Sequence, residues 1–228
     1  MRPRAANREA AWAFPGHRDH RHLSYDYTAY AGRDWRFFED LFLQTGFLPP
    51  VLDVGTGLGL FLECCRRHNT LVVGIELSEE GIVACARQRL PVVRGDITAP
   101  LPFRDGSFGS IFVHHVLEHI SSNVEEGLLR EILRVLRPGG FVLVVSPNVH
   151  HPDARRQPNH VNLSTPHGLQ RKLLSAGFSR VSLKMNYWRP IWDRRIHLGV
   201  LSSALTGILW KVAPIDRFAW NSSAMAWK

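Results

Sequence analysis

The chain of 228 residues is 45% hydrophobic and 21% charged, the balance of one soluble globular domain with room for an elaborated end. No apolar run approaches the roughly 18–20 residues that cross a bilayer, and the Arg-bearing N-terminus lacks the apolar core of about 7–15 residues that marks a secretory signal. The net charge of +8 is uneven: residues 1–149 hold 16 Lys+Arg against 17 Asp+Glu, and residues 150–228 hold 12 against 3. A basic last third suits an anionic substrate, a nucleic acid or an anionic membrane surface, and suits a merely solvated face equally well.

In chain order, residues 1–32 read as an irregular arm of Arg, His, Tyr and small residues. Trp35, Phe38, Leu41 and Phe42 recur at helical spacing, and Gly46 suits the helix end. Strand and helix then alternate. VLDV is a strand, 58–68 a helix, 71–76 a strand, and a helix opens at Ser78 with Glu79 and Glu80 near its positive end. A short third strand covers 91–96 and a fourth 110–113. Leu128, Leu129, Ile132, Val135 and Leu136 share one helix face before Pro138-Gly139-Gly140, and FVLVVSPN is a fifth, continuously apolar strand.

Thr165 and Pro166 open another helix that Gly177 closes, 179–187 alternates as a strand, and AWNSSAMAWK is one more. Between those last two strands, positions 192, 196, 200, 204, 208 and 212 are all apolar, the mark of an amphipathic helix. Its face could cover the sheet, join a second copy, or lie on a membrane interface with Arg189, Arg194 and Arg195 near headgroups. The expected fold is α/β: a doubly wound, mostly parallel seven-stranded sheet in a single domain. An N-terminal arm and helix take 1–47, the cofactor-binding core 48–187, and a C-terminal helical insertion with the last strand 188–228. Cys64, Cys65 and Cys85 are odd in number and lack CxxC spacing, which argues against a disulfide or zinc framework and for a cytoplasmic setting.

VLDVGTGLGL, 51–60, carries the functional signal. A glycine-rich turn after a first strand lets a ligand approach the backbone, and the next helix N-terminus favours an anionic group. The spacing is D-x-G-x-G-x-G rather than the dinucleotide fingerprint G-x-G-x-x-G. Asp53 suits a cationic ligand group. Glu76, at the end of the second strand, suits ribose hydroxyls. Glu76 alone fits a nicotinamide dinucleotide; with Asp53 it points to an adenosyl amino acid.

VLDVGTGLG, VVGIELS, VVRGDITAPLPFRDGSFGSIFVHHVLEHI and EILRVLRPGGFVLVVSPN, in that order, resemble the type 11 branch of class I S-adenosylmethionine-dependent methyltransferases. The resemblance covers about residues 48–180 and departs at Gly109, where the family usually has Asp. It implies S-adenosylmethionine as cofactor, with Asp53, Gly55 and Gly57 at the methionine end and Thr56 and Gly59 also in the cofactor-binding set. Glu76 would bind the ribose, Leu77 and Ile97 would lie on the adenine, and Asp96 would reach its amino group. His114 would face the sulfonium.

Methyl transfer from a sulfonium is an in-line displacement that needs alignment, and an oxygen or nitrogen acceptor also needs a base. His160, in a loop after the fifth strand with Asn162 beside it, is the leading base candidate, and His114 the second. His115 and His119 stand four apart, as zinc ligands can, but no third ligand is identifiable and no metal is expected. The expected reaction is O-methylation of a small-molecule or glycan/lipid-linked acceptor. No nucleic-acid partner is expected, peripheral membrane contact is open through the C-terminal helix, and the oligomeric state is not legible. A non-catalytic cofactor-binding partner subunit and a dinucleotide-dependent oxidoreductase are the rival readings.

Overall fold

From residue 51 onward the strand–helix alternation forms in the order read. The computed structural model describes residues 35–183, 215–219 and 221–228. The arm at 1–32, the end of the sixth strand at 184–187 and the amphipathic helix at 192–212 lie outside these. Helix α1 (Trp35–Thr45) leads to β1 (Val51–Val54), α2 (Leu60–Arg67), β2 (Val72–Glu76), α3 (Glu79–Arg87), β3 (Val92–Arg94) and β4 (Phe108–His114). Then follow α4 (Ser122–Val135), β5 (Leu136–Pro147), α5 (Pro152–Arg156), α6 (Pro166–Ser175), β6 (Arg180–Leu183) and β7 (Asn221–Trp227). The seven strands lie in the order β3-β2-β1-β4-β5-β7-β6, all parallel except β7, which runs antiparallel to both β5 and β6.

The caps form where the residue types place them. Ser78 accepts from the Gly81 N–H at the start of α3, and Thr165 accepts from the Gly168 N–H at the start of α6, with Pro166 as the first helical residue. Gly46 and Gly177 follow their helices at φ +66° and +105°. Helix α5 was not anticipated; one turn of PDARR carries too little periodicity to read. The α4–β5 boundary also differs. The chain passes from Val135 straight into β5, where Leu136 faces Phe108 and Phe141 faces Ser110. Pro138-Gly139-Gly140 is therefore extra chain within the ladder, a bulge rather than a loop before the strand.

Because side chains alternate along a strand, each strand serves two cores. Leu52, Val54, Ile111, Val113, Val142 and Val144 pack with Leu128, Leu129 and Ile132 of α4 and Leu169 and Leu173 of α6. Val51, Phe112, Leu143 and Val145 pack on the other face with Phe38 of α1 and Phe61, Leu62 and Cys65 of α2. All three cysteines are buried and unbridged, and burial pushes the Cys64 thiol up to about 12 and that of Cys85 to about 11. They are packing residues with little thiolate near neutral pH. Among the described residues no helix is long and apolar enough to cross a membrane.

Alternation also decides where the carboxylates stand. Asp53 shares the face of Val51, and Glu76 lies in register to end β2 on that face, so both reach the α1–α2 side of the sheet. Gly109 is set apart from them, near the start of β4. A Cβ there would sit 2.5 Å from the Leu48 carbonyl oxygen and 2.9 Å from that of Pro49, and the Gly109 N–H donates to Pro50 at 2.9 Å. The departure from Asp thus accommodates a closely packed segment before β1, at the end of the sheet away from the glycine loop.

Candidate active site

Strand β1 has β2 on one side and β4 on the other, so the winding reverses beside it and a crevice opens at the carboxyl ends of these strands. Asp53, Gly55, Thr56, Gly57, Glu76, Leu77, Asp96, Ile97 and His114 all line that one crevice. Residues from four strand ends thus converge. Gly59 is not among the lining residues. It caps α2 at φ +83°, and a Cβ on it would lie 2.7 Å from Leu90 Cδ1 and 2.8 Å from Cys85 Sγ, so its role is close packing of α2 on α3. Gly55 is the glycine that shapes the floor. It stands at φ +70°, donates its N–H to the Ile75 carbonyl at 2.9 Å, and leaves no room for a Cβ beside Val116.

The two carboxylates differ in their support. Glu76 accepts three backbone N–H groups, from Gly57 at 2.8 Å on one oxygen and from Leu77 at 2.9 Å and Ser78 at 2.8 Å on the other. Asp53 is 3% exposed and takes the Thr56 hydroxyl proton on one oxygen. Burial pushes its pKa up to about 7; the Thr56 hydrogen bond works against that rise and the charge of Glu76 adds to it. No Lys or Arg forms an ion pair with Asp53 among the described residues. The crevice floor therefore carries a carboxylate short of a positive partner.

The wall beyond β4 is made of rings. His114 stacks on Phe112 with centroids 5.5 Å apart and meets Phe37 at 5.4 Å and Phe38 at 5.5 Å. Burial, with the neighbouring His115, holds it well below the usual histidine range, so it lines the crevice as a neutral ring. His115 also lines the crevice, at φ +55°, a left-handed conformation rare outside glycine. Its Nδ1 lies 2.8 Å from Oε1 of Glu118, a fully buried carboxylate whose Oε2 accepts the Ser146 hydroxyl at 3.0 Å. Burial works to raise the Glu118 pKa, but the His115 hydrogen bond, the charges of His115 and His119 and a backbone bond bring it below the ordinary value.

His115 and Glu118 were not selected from the sequence as a pair. The available signal was their spacing of three at the end of a strand, in HVLEH. His160, the leading base candidate, is not in the crevice lining. Its Nδ1 lies 2.9 Å from the Ala154 carbonyl and its ring meets that of His119 edge-on, centroids 5.0 Å apart. Asn162 is a brace. Its amide donates to Glu125 at 2.8 Å, its oxygen accepts from Lys172 at 3.1 Å, and Lys172 also reaches Glu125 at 2.6 Å and Ser164 at 2.7 Å.

The sequence profile described as "Methyltransferase domain" matches residues 52–144, the span from β1 through the middle of β5. Over that span the chain resembles methyltransferases. The chain is 35% identical over 100 residues to a probable S-adenosylmethionine-dependent methyltransferase of Mycolicibacterium smegmatis, covering 43% of this chain and 38% of that protein. It is 31% identical over 112 residues to the demethylmenaquinone methyltransferase of Mycobacterium tuberculosis, covering 49% of this chain and 47% of that protein. The chain thus spans about half the length of the curated relatives it matches. A crystal structure of a SAM-dependent methyltransferase from Archaeoglobus fulgidus shares the fold, with a TM-score of 0.67 at 19% identity over 89% of this chain and 97% of that one. The chain has the doubly wound, seven-stranded architecture expected.

Proposed function

We propose that this chain methylates an oxygen of a small-molecule or glycan/lipid-linked acceptor, working in the cytoplasm by in-line displacement from S-adenosylmethionine. The observation that carries the reading is Asp53. A carboxylate buried at the crevice floor with no Lys or Arg partner among the described residues fits a ligand that brings its own positive charge, which an α-ammonium does and a pyrophosphate does not. Glu76, already oriented by three backbone donors, would accept the ribose hydroxyls. Leu77 and Ile97 would flank the adenine and Asp96 would take its amino group. Asp96 is held for this by accepting the Thr98 N–H at 2.9 Å.

When bound, the cofactor supplies a methyl group already activated on a sulfonium. The chain's own residues then align, exclude water and take a proton. His114, kept neutral among Phe37, Phe38 and Phe112, presents an uncharged ring where an imidazolium would repel the sulfonium. His115 is the base in this reading. Glu118 holds its Nδ1 proton, so Nε2 has the lone pair and Glu118 stabilises the imidazolium that forms. This assigns to His115 the role that His160 was expected to fill.

Calorimetry with S-adenosylhomocysteine tests the cofactor site. Asp53→Ala and Glu76→Ala each weaken binding, and wild-type affinity in both would remove the roles given to them. Thermal-shift runs with S-adenosylhomocysteine and with NAD separate this reading from an oxidoreductase, since only the ligand that binds stabilises the fold. Labelled S-adenosylmethionine with fractionated cell extract identifies the acceptor, and absence of any labelled product would leave the non-catalytic partner reading in its place.

A further inference from the structure

We propose that Glu118, His119 and His160 form a binding site for a divalent transition-metal cation of the zinc type, at the acceptor edge of the crevice. One ligand atom from each residue lies within 4.8 Å of the others, close enough for one ion to draw all three in. His119 follows the fourth strand and lines the crevice, whereas His160 comes from the loop after β5, so the set exists only in the folded chain.

The two rings are oriented as metal-binding histidines are. His119 Nδ1 lies 3.2 Å from the Asn159 carbonyl and His160 Nδ1 lies 2.9 Å from the Ala154 carbonyl. A carbonyl only accepts, so Nδ1 carries the proton in each ring and Nε2 carries the lone pair. That backbone contact on the far nitrogen is the usual outer support of a histidine ligand.

The charge balance points the same way. Glu118 is 0% exposed, and among the described residues its one ion pair is with His115. No Lys or Arg reaches it among the described residues. A carboxylate buried without a permanent cation beside it is costly to ionise, and a divalent ion would supply the missing charge. The Glu118 carboxylate accepts from His115, Ser146 and a backbone N–H, and of its roughly four lone-pair sites this leaves one for the ion. The loop is also fixed in place, because the Val161 and Asn162 N–H groups both donate to the Glu118 carbonyl, at 2.8 and 3.2 Å.

Two imidazoles and one carboxylate match zinc-type ions better than magnesium or calcium, which prefer all-oxygen sets, and three protein ligands leave a fourth position. A second cluster, Glu39, Cys64 and His68, has comparable spacing but is internally satisfied: Cys64 donates to Glu39 at 3.6 Å and His68 meets Glu39 at 2.7 Å. Its thiol, pushed up to about 12, resists becoming a thiolate ligand. The ion's place beside the acceptor rests on the proposed function; its binding does not.

The test is a Co²⁺ titration of the EDTA-treated full chain, followed by visible absorption and by Zn²⁺ competition, with no acceptor present. One Co²⁺ per chain with a visible band displaced by Zn²⁺ is expected. His160→Gln and Glu118→Gln should each weaken it at least about tenfold, and His68→Gln should leave it unchanged. His160→Gln, altering a half-buried loop residue, keeps the test decisive if Glu118→Gln fails to fold; unaltered S-adenosylhomocysteine affinity in that variant verifies the fold. A chain that binds no Co²⁺, a band that survives in His160→Gln, or a band lost in His68→Gln would each overturn the proposal.

Discussion

If Asp53 grips an ammonium group, cofactor binding must depend on pH in a specific way. In the ligand-free fold its carboxyl is pushed from 3.8 to about 7. The folded chain thus holds a proton there that the unfolded chain has lost across that window. Stability of the empty protein therefore falls as pH rises from about 4 to 7, and flattens above. The three-unit difference corresponds to about 4 kcal/mol, an upper bound on the cost of ionising Asp53 in the empty crevice. An ammonium ligand binds the ionised form, so below pH 7 its binding expels the proton. Affinity for S-adenosylhomocysteine should then rise about tenfold from pH 5 to 6, about fivefold from pH 6 to 7, and little above pH 8. Calorimetry at pH 6 in two buffers of different ionisation enthalpy should register release of nearly one proton per ligand. Asp53→Asn should bind weakly and lose both the slope and the proton. A wild-type affinity that stays level between pH 5 and 7, or a slope that persists in Asp53→Asn, would refute the reasoning.

Three further outcomes follow from the packing and the site. Gly109→Asp, which would restore the residue usual in the family, should destabilise by about 2–3 kcal/mol, because its Cβ would sit 2.5 Å from the Leu48 carbonyl oxygen; thermal melts check this. Gly59→Ala should cost about 1–2 kcal/mol for the left-handed conformation at φ +83°, yet leave S-adenosylhomocysteine affinity unchanged by calorimetry, since Gly59 packs beneath the crevice. Once an acceptor is identified, His115→Gln should lower kcat on the order of 10²–10⁴-fold with cofactor affinity preserved, and steady-state kinetics beside calorimetry separate the two.

The half of the site proposed for the cofactor was legible because its residues are local in sequence. Asp53 through Gly57 occupy one strand end and one turn, and Glu76 ends the neighbouring strand at a separation that a single helix crossover sets. The glycine positions, however, looked equivalent in sequence. Only φ and the surrounding atoms separated Gly55, which shapes the floor, from Gly59, which lets two helices approach. The short helix α5 and the bulge at Pro138-Gly139-Gly140 escaped for a related reason: one turn or one extra loop of chain has no periodicity to detect.

The acceptor half was not legible, because it is assembled across long separations. His115 and Glu118 are three residues apart, but their pairing depends on a left-handed backbone at His115. Glu118 and His160 meet only because the loop after β5 donates two N–H groups back to the Glu118 carbonyl. From its amino acids alone the chain determined a doubly wound sheet and an acidic, glycine-lined crevice, since strand periodicity and turn chemistry are properties of neighbouring residues. Which histidines share a carboxylate was decided by tertiary structure, since contact between segments some forty residues apart depends on strand order and loop packing, and neither is written in local spacing.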